Sequence, residues 1–181
     1  MMYYVIQTAS NRESDVENYI DSLLDKRIYD RYFHPVRAVQ KKIRGQWVTR
    51  YKKLFPGYVF LITDDIESLY EELKKVPTFT KVLGREGERF FPLSENEVEW
   101  LKKLMNISEN TLPDRFEAVV AISNIGFDEN DRVVVKDGPL KNLSGCIKKI
   151  NLHKKIAEVE LDFMNKKTTI YLGLEYVRKS P

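Results

Sequence analysis

Hydrophobic residues recur at helical spacing in three stretches of the first 105 residues. Two of these stretches, 16–24 and 66–73, place apolar residues three and four positions apart, which predicts two amphipathic helices. Ser94 and Glu97 have the spacing of a capping box, so a third helix is predicted to start there and to run to Met105.

Strand patterns fill most of the space between these helices. The run 57–63 is apolar throughout, which predicts a buried central strand. Residues 32–40 and 46–53 predict two further strands, joined by a turn at Arg44 and Gly45. Together these elements predict an α+β fold in which helices flank a mainly antiparallel sheet.

The last third of the chain alternates apolar runs of strand length with turns rich in glycine, proline or asparagine. Short strands at such close spacing are typical of a small, strongly bent antiparallel barrel. Gly145 is expected to begin a strand, where the missing Cβ permits a bulge or a close backbone approach. The predicted strands are 131–135, 145–150, 156–161 and 168–172.

A specific residue order marks this predicted barrel. Residues 133–150 read V-x-V-x-x-G-P-x-x-x-x-x-G-x-I-x-x-I. The order closely resembles a KOW motif, the nucleic-acid- or protein-binding barrel of transcription and ribosomal proteins. Upstream, residues 54–61 read L-F-P-G-Y-V-F-L. This second signature resembles the F-P-G-Y-V segment of the NusG family of transcription elongation factors.

Further segments fit the N-terminal domain of the same family. Residues 3–7 resemble the family's opening W-Y-V-x-Q strand, with Tyr3 in place of the usual tryptophan. The V-L-G of 82–84 and the P-L-S of 92–94 have the order and spacing of that domain. In all, the resemblance covers nearly the whole chain.

The resemblance implies two domains. Residues 1–106 correspond to the NGN domain, which is the polymerase-binding N-terminal domain of the family. Residues 128–181 correspond to a KOW domain with an SH3-like barrel. The join, 107–127, is expected to be a linker with some order, because 116–122 is too apolar for a free linker.

Composition excludes several classes of protein. With 31% charged residues and no apolar run near 18 residues, no membrane span is expected. The N-terminus lacks the pattern of a secretory signal, and a single cysteine suits a reducing cytoplasm. Cys146 is expected to be a buried hydrophobe. We therefore expect a cytoplasmic protein, and we expect it to be a monomer. No phosphate loop, metal-ligand cluster or nucleophile motif occurs, so we expect no enzymatic activity, metal or cofactor.

The net charge is only +3, but the basic residues are clustered. Residues 26–53 carry ten basic residues and one acid, and 128–181 carry eleven basic and eight acidic residues. Such separation creates local positive fields. The 41–53 hairpin also interleaves its cations with Trp47 and Tyr51, which suits contact with a nucleic acid. A solvated hairpin edge explains the pattern equally well.

The resemblance implies a surface that binds RNA polymerase. In the NusG family, the F-P-G-Y-V region and a residue of the V-L-G segment form an apolar depression that grips the clamp helices of the polymerase. The matching residues here are Phe55, Tyr58, Phe60 and Leu83. A role as a core aromatic is an equally good explanation for Phe60.

Two isolated basic residues match positions with a further role in specialised family members. Arg12 precedes the first predicted helix, and Lys75 ends the second. The matching positions face the single-stranded non-template DNA of the transcription bubble. An ordinary solvated charge is the alternative for both residues.

Basic residues in the turns of the predicted barrel could converge on one rim, which would suit a folded RNA hairpin. In generic bacterial NusG proteins the barrel instead docks a termination helicase or a small-subunit ribosomal protein. Phe163 matches the apolar residue used there, but Met164 and Asn165 replace the usual Gly-Arg. The candidate RNA-binding residues are Lys136, Lys141, Lys148, Lys149, His153, Lys154 and Lys155.

Among specialised paralogues, the segment 149–159 looks most like the LoaP group of antitermination factors, which a leader hairpin is thought to recruit. We therefore expect a factor that binds RNA polymerase and a leader RNA hairpin and promotes read-through of terminators. A housekeeping NusG-type factor and a ribosome-associated RNA-binding protein remain alternatives. The helical refolding of RfaH-like paralogues is disfavoured by the β-branched run 133–135 and the break at Gly138 and Pro139.

Overall fold

The structure is a computed structural model that describes residues 1–107 and 118–177. Its helices are α1 (Glu13–Leu23), α2 (Ile66–Leu73) and α3 (Glu95–Leu104). Its strands are β1 (Met2–Thr8), β2 (Arg31–Phe33), β3 (Val36–Ile43), β4 (Gln46–Lys53), β5 (Tyr58–Thr63), β6 (Phe79–Val82), β7 (Arg85–Glu86), β8 (Arg89–Phe90), β9 (Val119–Val120), β10 (Ser123–Phe127), β11 (Val133–Asp137), β12 (Ile147–Asn151), β13 (Ile156–Phe163) and β14 (Lys166–Tyr176).

The described residues form two compact units. The first unit comprises 1–34, 55–99 and Ala118. The second comprises 35–54, 100–107 and 119–177. The β3–β4 hairpin therefore groups with the C-terminal strands.

The first unit is built on a four-stranded antiparallel sheet in the order β2-β5-β1-β6. The predicted central strand is confirmed, because β5 lies between β2 and β1. One face of this sheet packs against the apolar stripes of α1 and α2, as their helical spacing predicts. The buried cluster there includes Tyr4, Ile6, Val16, Ile20, Val59, Leu61, Ile66, Leu69 and Leu73.

The start of α3 confirms the predicted capping box. The backbone N–H of Glu97 donates to Ser94 Oγ at 3.3 Å, and the backbone N–H of Ser94 donates to a Glu97 carboxylate oxygen at 2.8 Å. Two exposed donors at the helix start are thereby satisfied. Among the described helices, none has the length and apolar character needed to cross a membrane.

The second unit contains a five-stranded sheet in the order β11-β10-β14-β13-β12. A 3₁₀ segment, Pro139–Cys146, joins β11 to β12 at the two edges of the sheet. Neighbouring strands run antiparallel except β10 and β14, which are parallel. This half-barrel is consistent with an SH3-like fold, and with the first unit it confirms the α+β class.

The β3–β4 hairpin packs directly on this barrel. Its turn is the predicted one, with positive φ at Arg44 and Gly45. Strand β3 pairs in parallel with β9 and also lies against β14. A Cβ on Gly173 would lie 2.2 Å from the carbonyl oxygen of Ala38, so the approach requires a glycine.

Three features of the C-terminal region differ from the sequence-based expectations. Gly145 lies in the 3₁₀ segment rather than at a strand start, and open space surrounds the position of its absent Cβ. Pro139, with its fixed φ, begins that segment, and β12 starts at Ile147, two residues later than predicted. Cys146 is half-buried rather than buried. Residues 123–127, expected in the linker, form β10.

Candidate functional site

Three of the four residues expected to bind polymerase form one aromatic cluster. The ring centroid of Phe55 lies 6.4 Å from that of Tyr58 and 5.6 Å from that of Phe60. Phe55 is 4% exposed and Phe60 is 0% exposed, whereas Tyr58 is half-buried. Phe60 also stacks on Phe33, with centroids 5.3 Å apart. In this structure Phe55 and Phe60 are therefore core residues that support the more accessible Tyr58.

The fourth residue, Leu83, lies across β1 from this cluster. Its backbone N–H donates to the carbonyl oxygen of Val5 at 2.8 Å, and Val5 is the register partner of Phe60. Opposite residues on antiparallel strands point to the same face of a sheet, as do alternate residues along one strand. Tyr58, Phe60 and Leu83 thus share the sheet face opposite the α1 and α2 core, and Leu83 is half-buried there.

A buried carboxylate holds the Pro-Gly turn beneath Tyr58. Glu13, in the first turn of α1, is 1% exposed, and its Oε1 accepts the backbone N–H of Gly57 at 2.6 Å. The carbonyl oxygen of Gly57 accepts the backbone N–H of Thr8 at 2.8 Å. The sequence explains Glu13 only through the helix dipole. Its hydrogen bond with Gly57, 44 residues further along the chain, cannot be predicted from the neighbouring sequence.

The two candidate DNA-binding residues each form an ion pair on the surface of the first unit. Arg12 Nε lies 2.6 Å from Asp15 Oδ2, and Lys75 Nζ lies 2.7 Å from Glu72 Oε1. The hydrogen bond that the Lys75 ammonium donates to the Glu72 carboxylate raises the pKa of Lys75. Exposed surface pairs of this kind contribute little to stability, so a phosphate could replace either carboxylate at little cost.

Strand register gathers cations on one face of the β3–β4 hairpin. Arg37 lies directly opposite Lys52, and Val39 lies opposite Arg50, which places the three basic side chains on the same side. Neither Lys52 nor Arg50 forms an ion pair with any described residue. Like charges directly opposite each other destabilise a sheet, so this face is suited to an anionic partner. Burial lowers the pKa of Arg37.

The candidate RNA-binding residues of the barrel fall into two groups. Lys148 Nζ pairs with Glu160 at 3.3 Å. Lys155 Nζ lies 4.2 Å from the ring centroid of Trp47 and 3.9 Å from Glu175 Oε1. The remaining side chains are exposed and make no ion pair with the part of the chain that the structure describes: Lys136, Lys141, Lys149, His153 and Lys154.

The basic turns lie at one end of the barrel. The carbonyl oxygen of Lys155 accepts the backbone N–H of Leu174 at 3.0 Å, and Leu174 is the register partner of Ser123 on β10. Gly138, at φ +89°, packs so closely on Ser123 that a Cβ there would lie 2.6 Å from the Ser123 Cα. The 152–155 turn and Gly138 therefore lie at the same height along the strands, at one end of the sheet. Three strand spacings, roughly 14 Å, separate them across the sheet.

Phe163, the residue expected to dock a protein partner in the alternative function, is 2% exposed. Its ring packs edge-on against Trp100, with centroids 6.0 Å apart. The next two residues, Met164 and Asn165, have φ values of +51° and +59° and form the β13–β14 turn. Phe163 is therefore a core residue of the second unit in this structure.

Metal-binding geometry is absent from the described ranges, since no three histidine, cysteine or acidic side chains are grouped to hold an ion. Of the two histidines, His34 contacts the buried carboxylate of Glu17 through Nδ1. His153 lies exposed in the β12–β13 turn.

Comparison with known proteins agrees with this geometry. A family model described as "Transcription termination factor nusG" matches residues 1–102. Similar proteins include the transcription termination/antitermination protein NusG of Rickettsia prowazekii, which is 28% identical over 98% of this chain and 90% of its own length. The Helicobacter pylori protein of the same name is 25% identical over 99% of this chain and 98% of its own length.

A solved structure supports the fold. The structure described as "Domain interaction in Thermotoga maritima NusG" has a TM-score of 0.51 and 18% identity, and covers 95% of this chain and 93% of that one. Because the family model matches more than half of the sequence, the chain belongs to the NusG family.

Proposed function

We propose that this protein is a transcription elongation factor of the antitermination type, similar to the LoaP group. Its first unit binds RNA polymerase, and its second unit binds a hairpin in the leader RNA. Membership of the NusG family supports the role in transcription. The observation that carries the RNA assignment is the contrast within the second unit between a buried Phe163 and the exposed Lys149 and Lys154, which make no ion pair with any described residue.

The polymerase contact is assigned to Tyr58 and Leu83, with Phe55 and Phe60 as their support. An aromatic residue backed by a rigid apolar cluster is a typical anchor for a helical partner. The clamp helices of RNA polymerase would pack on this face. Glu13 contributes indirectly, because it fixes the turn at Gly57 from which Tyr58 projects.

The RNA contact is assigned to the exposed lysines of the barrel. Lys136 and Lys141 flank Gly138, while His153 and Lys154 lie in the 152–155 turn at the same end of the sheet. Separated cations of this kind suit the backbone of a folded RNA, which is recognised largely through its phosphates and shape. Lys148 and Lys155 have a weaker claim, because both are already engaged within the second unit.

The mechanism needs no covalent chemistry. If the factor binds the elongating polymerase more tightly than the paused polymerase, it shifts the population towards elongation. The leader hairpin raises the local concentration of the factor by holding it near the transcript. Arg12 and Lys75 would add contacts with the non-template strand by exchanging their surface carboxylates for phosphates.

A pair of binding measurements on the full-length chain tests this proposal. Labelled leader hairpin is titrated at several salt concentrations, and purified RNA polymerase is titrated separately. Replacing Lys149 and Lys154 by alanine is expected to weaken RNA binding and leave polymerase binding unchanged. If the affinity for the leader hairpin does not change with salt concentration or with these substitutions, the RNA assignment is wrong. Failure to bind polymerase would overturn the function as a whole.

A further inference from the structure

An open depression with a volume of 250 Å³ lies on the outer face of the barrel sheet. Strand register aligns its walls, because Lys149 on β12, Glu158 on β13 and Tyr171 on β14 are successive partners in one row. Asn151, Lys154 and Ile156 complete the lining. The depression therefore brings together an aromatic ring, a carboxylate, an amide and two ammonium groups around a space large enough to admit a nucleobase.

Tyr171 supplies an accessible aromatic surface. Its side chain is 44% exposed, although it lies within a regular strand. The guanidinium carbon of Arg37 lies 5.6 Å from the centroid of its ring, which stabilises the ring in place. An exposed aromatic ring beside cations is a stacking platform for an unpaired base.

Glu158 is the unusual member of the group. Its carboxylate makes no hydrogen bond or ion pair with any described residue, although Lys149 is its direct neighbour across the strands. Glu160, two residues along on the same face, does pair with a lysine, Lys148, at 3.3 Å. An ionised carboxylate can only accept hydrogen bonds, and its two oxygens can accept two parallel donors. The depression thus offers a double acceptor beside a ring.

We infer that this depression binds an unpaired guanine of the leader RNA. The base stacks on Tyr171, and its N1–H and N2–H donate to the two oxygens of Glu158. The phosphates on either side contact Lys149 and Lys154. This inference rests on the proposed RNA-binding function and specifies the part of the hairpin that is read: a base in the loop or in a bulge, where bases are unstacked.

The preference for guanine follows from the pattern of donors along each base edge. Guanine presents two adjacent donors that match the carboxylate. Adenine and cytosine present an amino donor beside an acceptor nitrogen, which the carboxylate repels. Uracil presents a single donor between two acceptors.

The β3–β4 hairpin of the protein offers a path for the RNA phosphates on either side of the bound base. Arg37 contacts Tyr171, and its register partner on β4 is Lys52. The cationic face of the hairpin, which also carries Arg50, therefore begins beside the depression. A strand leaving the depression would meet Lys52 and Arg50, neither of which forms an ion pair within the described ranges.

The direction in which Glu158→Gln changes the affinity for RNA distinguishes guanine recognition from simple charge attraction. Glu158→Gln removes a negative charge beside two lysines, so it strengthens any binding that depends on phosphates alone. If Glu158 accepts two donors from guanine, the same change weakens binding, because the glutamine amide repels one donor. The amide also matches adenine, since glutamine pairs with an adenine edge through one donor and one acceptor. Preference is then expected to move from guanine towards adenine.

The test uses the full-length chain and a stem–loop RNA with a uridine loop whose central base is guanine, adenine, cytosine or uracil. Fluorescence anisotropy measures affinity at two salt concentrations. We expect the guanine loop to bind about 5- to 100-fold more tightly than the uracil loop. We expect Glu158→Gln and Tyr171→Leu to remove that preference. Glu160→Gln and Tyr171→Phe are the matched controls and are expected to retain it.

The outcomes distinguish this inference from the proposed function. If RNA affinity depends on salt but not on the loop base, and is unchanged in Glu158→Gln and Tyr171→Leu, the guanine pocket is wrong but the RNA-binding function stands. No binding to any of the four RNAs would overturn both. Tighter binding of the guanine loop, or of a hexaglutamate peptide, to Glu158→Gln would show a site for anions rather than for a base. A thermal melt of each variant establishes that it is folded.

Discussion

Replacing Glu13 by alanine tests how the candidate polymerase surface is built. The substitution removes the acceptor for the backbone N–H of Gly57, which lies 2.6 Å from Glu13 Oε1 in a buried position. An unsatisfied buried donor costs about 1–3 kcal/mol. We therefore expect the free energy of unfolding to fall by about that amount. In a chain of 181 residues, each kcal/mol lowers Tm by about 2–4 °C.

Asp15→Ala is the matched control for that experiment. Asp15 lies in the same first turn and also favours the helix dipole, but its partner is the exposed Arg12. Its loss is expected to cost no more than about 1 kcal/mol. Urea denaturation measures both variants, and a polymerase pull-down measures whether displacement of the turn weakens binding. Equal stability of the two variants would refute the role assigned to Glu13.

The remaining predictions concern single side chains. Tyr58→Ala is expected to weaken polymerase binding by about 1–3 kcal/mol while Tyr51→Ala, on the exposed hairpin, leaves it unchanged; a folded Tyr58→Ala chain that binds normally would refute the anchor role. Gly173→Ala is expected to destabilise the second unit by more than about 1 kcal/mol, measured by denaturation, because the new Cβ would meet the carbonyl oxygen of Ala38. Lys154→Ala is expected to reduce the slope of log affinity for the leader hairpin against log salt by about one; an unchanged slope would mean that this lysine meets no phosphate.

Local patterns in the sequence predict much of the fold. The capping box at Ser94, the turn at Arg44 and Gly45, and the apolar run of β5 depend on neighbouring residues, and the structure confirms each. Strand β10 (S-N-I-G-F) is different, because it carries a serine, an asparagine and a glycine and is stabilised by long-range pairing with β11 and β14. With only Ile125 and Phe127 as apolar residues, the segment has too little hydrophobic pattern to distinguish a strand from a linker.

The candidate sites show the same division. The motif identifies Tyr58 and Leu83, but only strand register shows that they share one face. The sequence gives no reason to connect Glu13 with the Pro-Gly turn or Tyr171 with Glu158, because each pair is formed by tertiary contact or cross-strand register. Burial likewise separates Phe60 from Tyr58, whereas alternation alone assigns both to one surface.

Transcription in vitro through an intrinsic terminator tests the proposed antitermination function most directly. Purified polymerase transcribes a template that carries the native leader, with and without the full-length factor, and a second template lacks the leader hairpin. We expect the factor to increase the fraction of transcripts extending past the terminator, and to do so only when the leader hairpin is present. Unchanged or increased termination on the template with its own leader would contradict the proposed antitermination function.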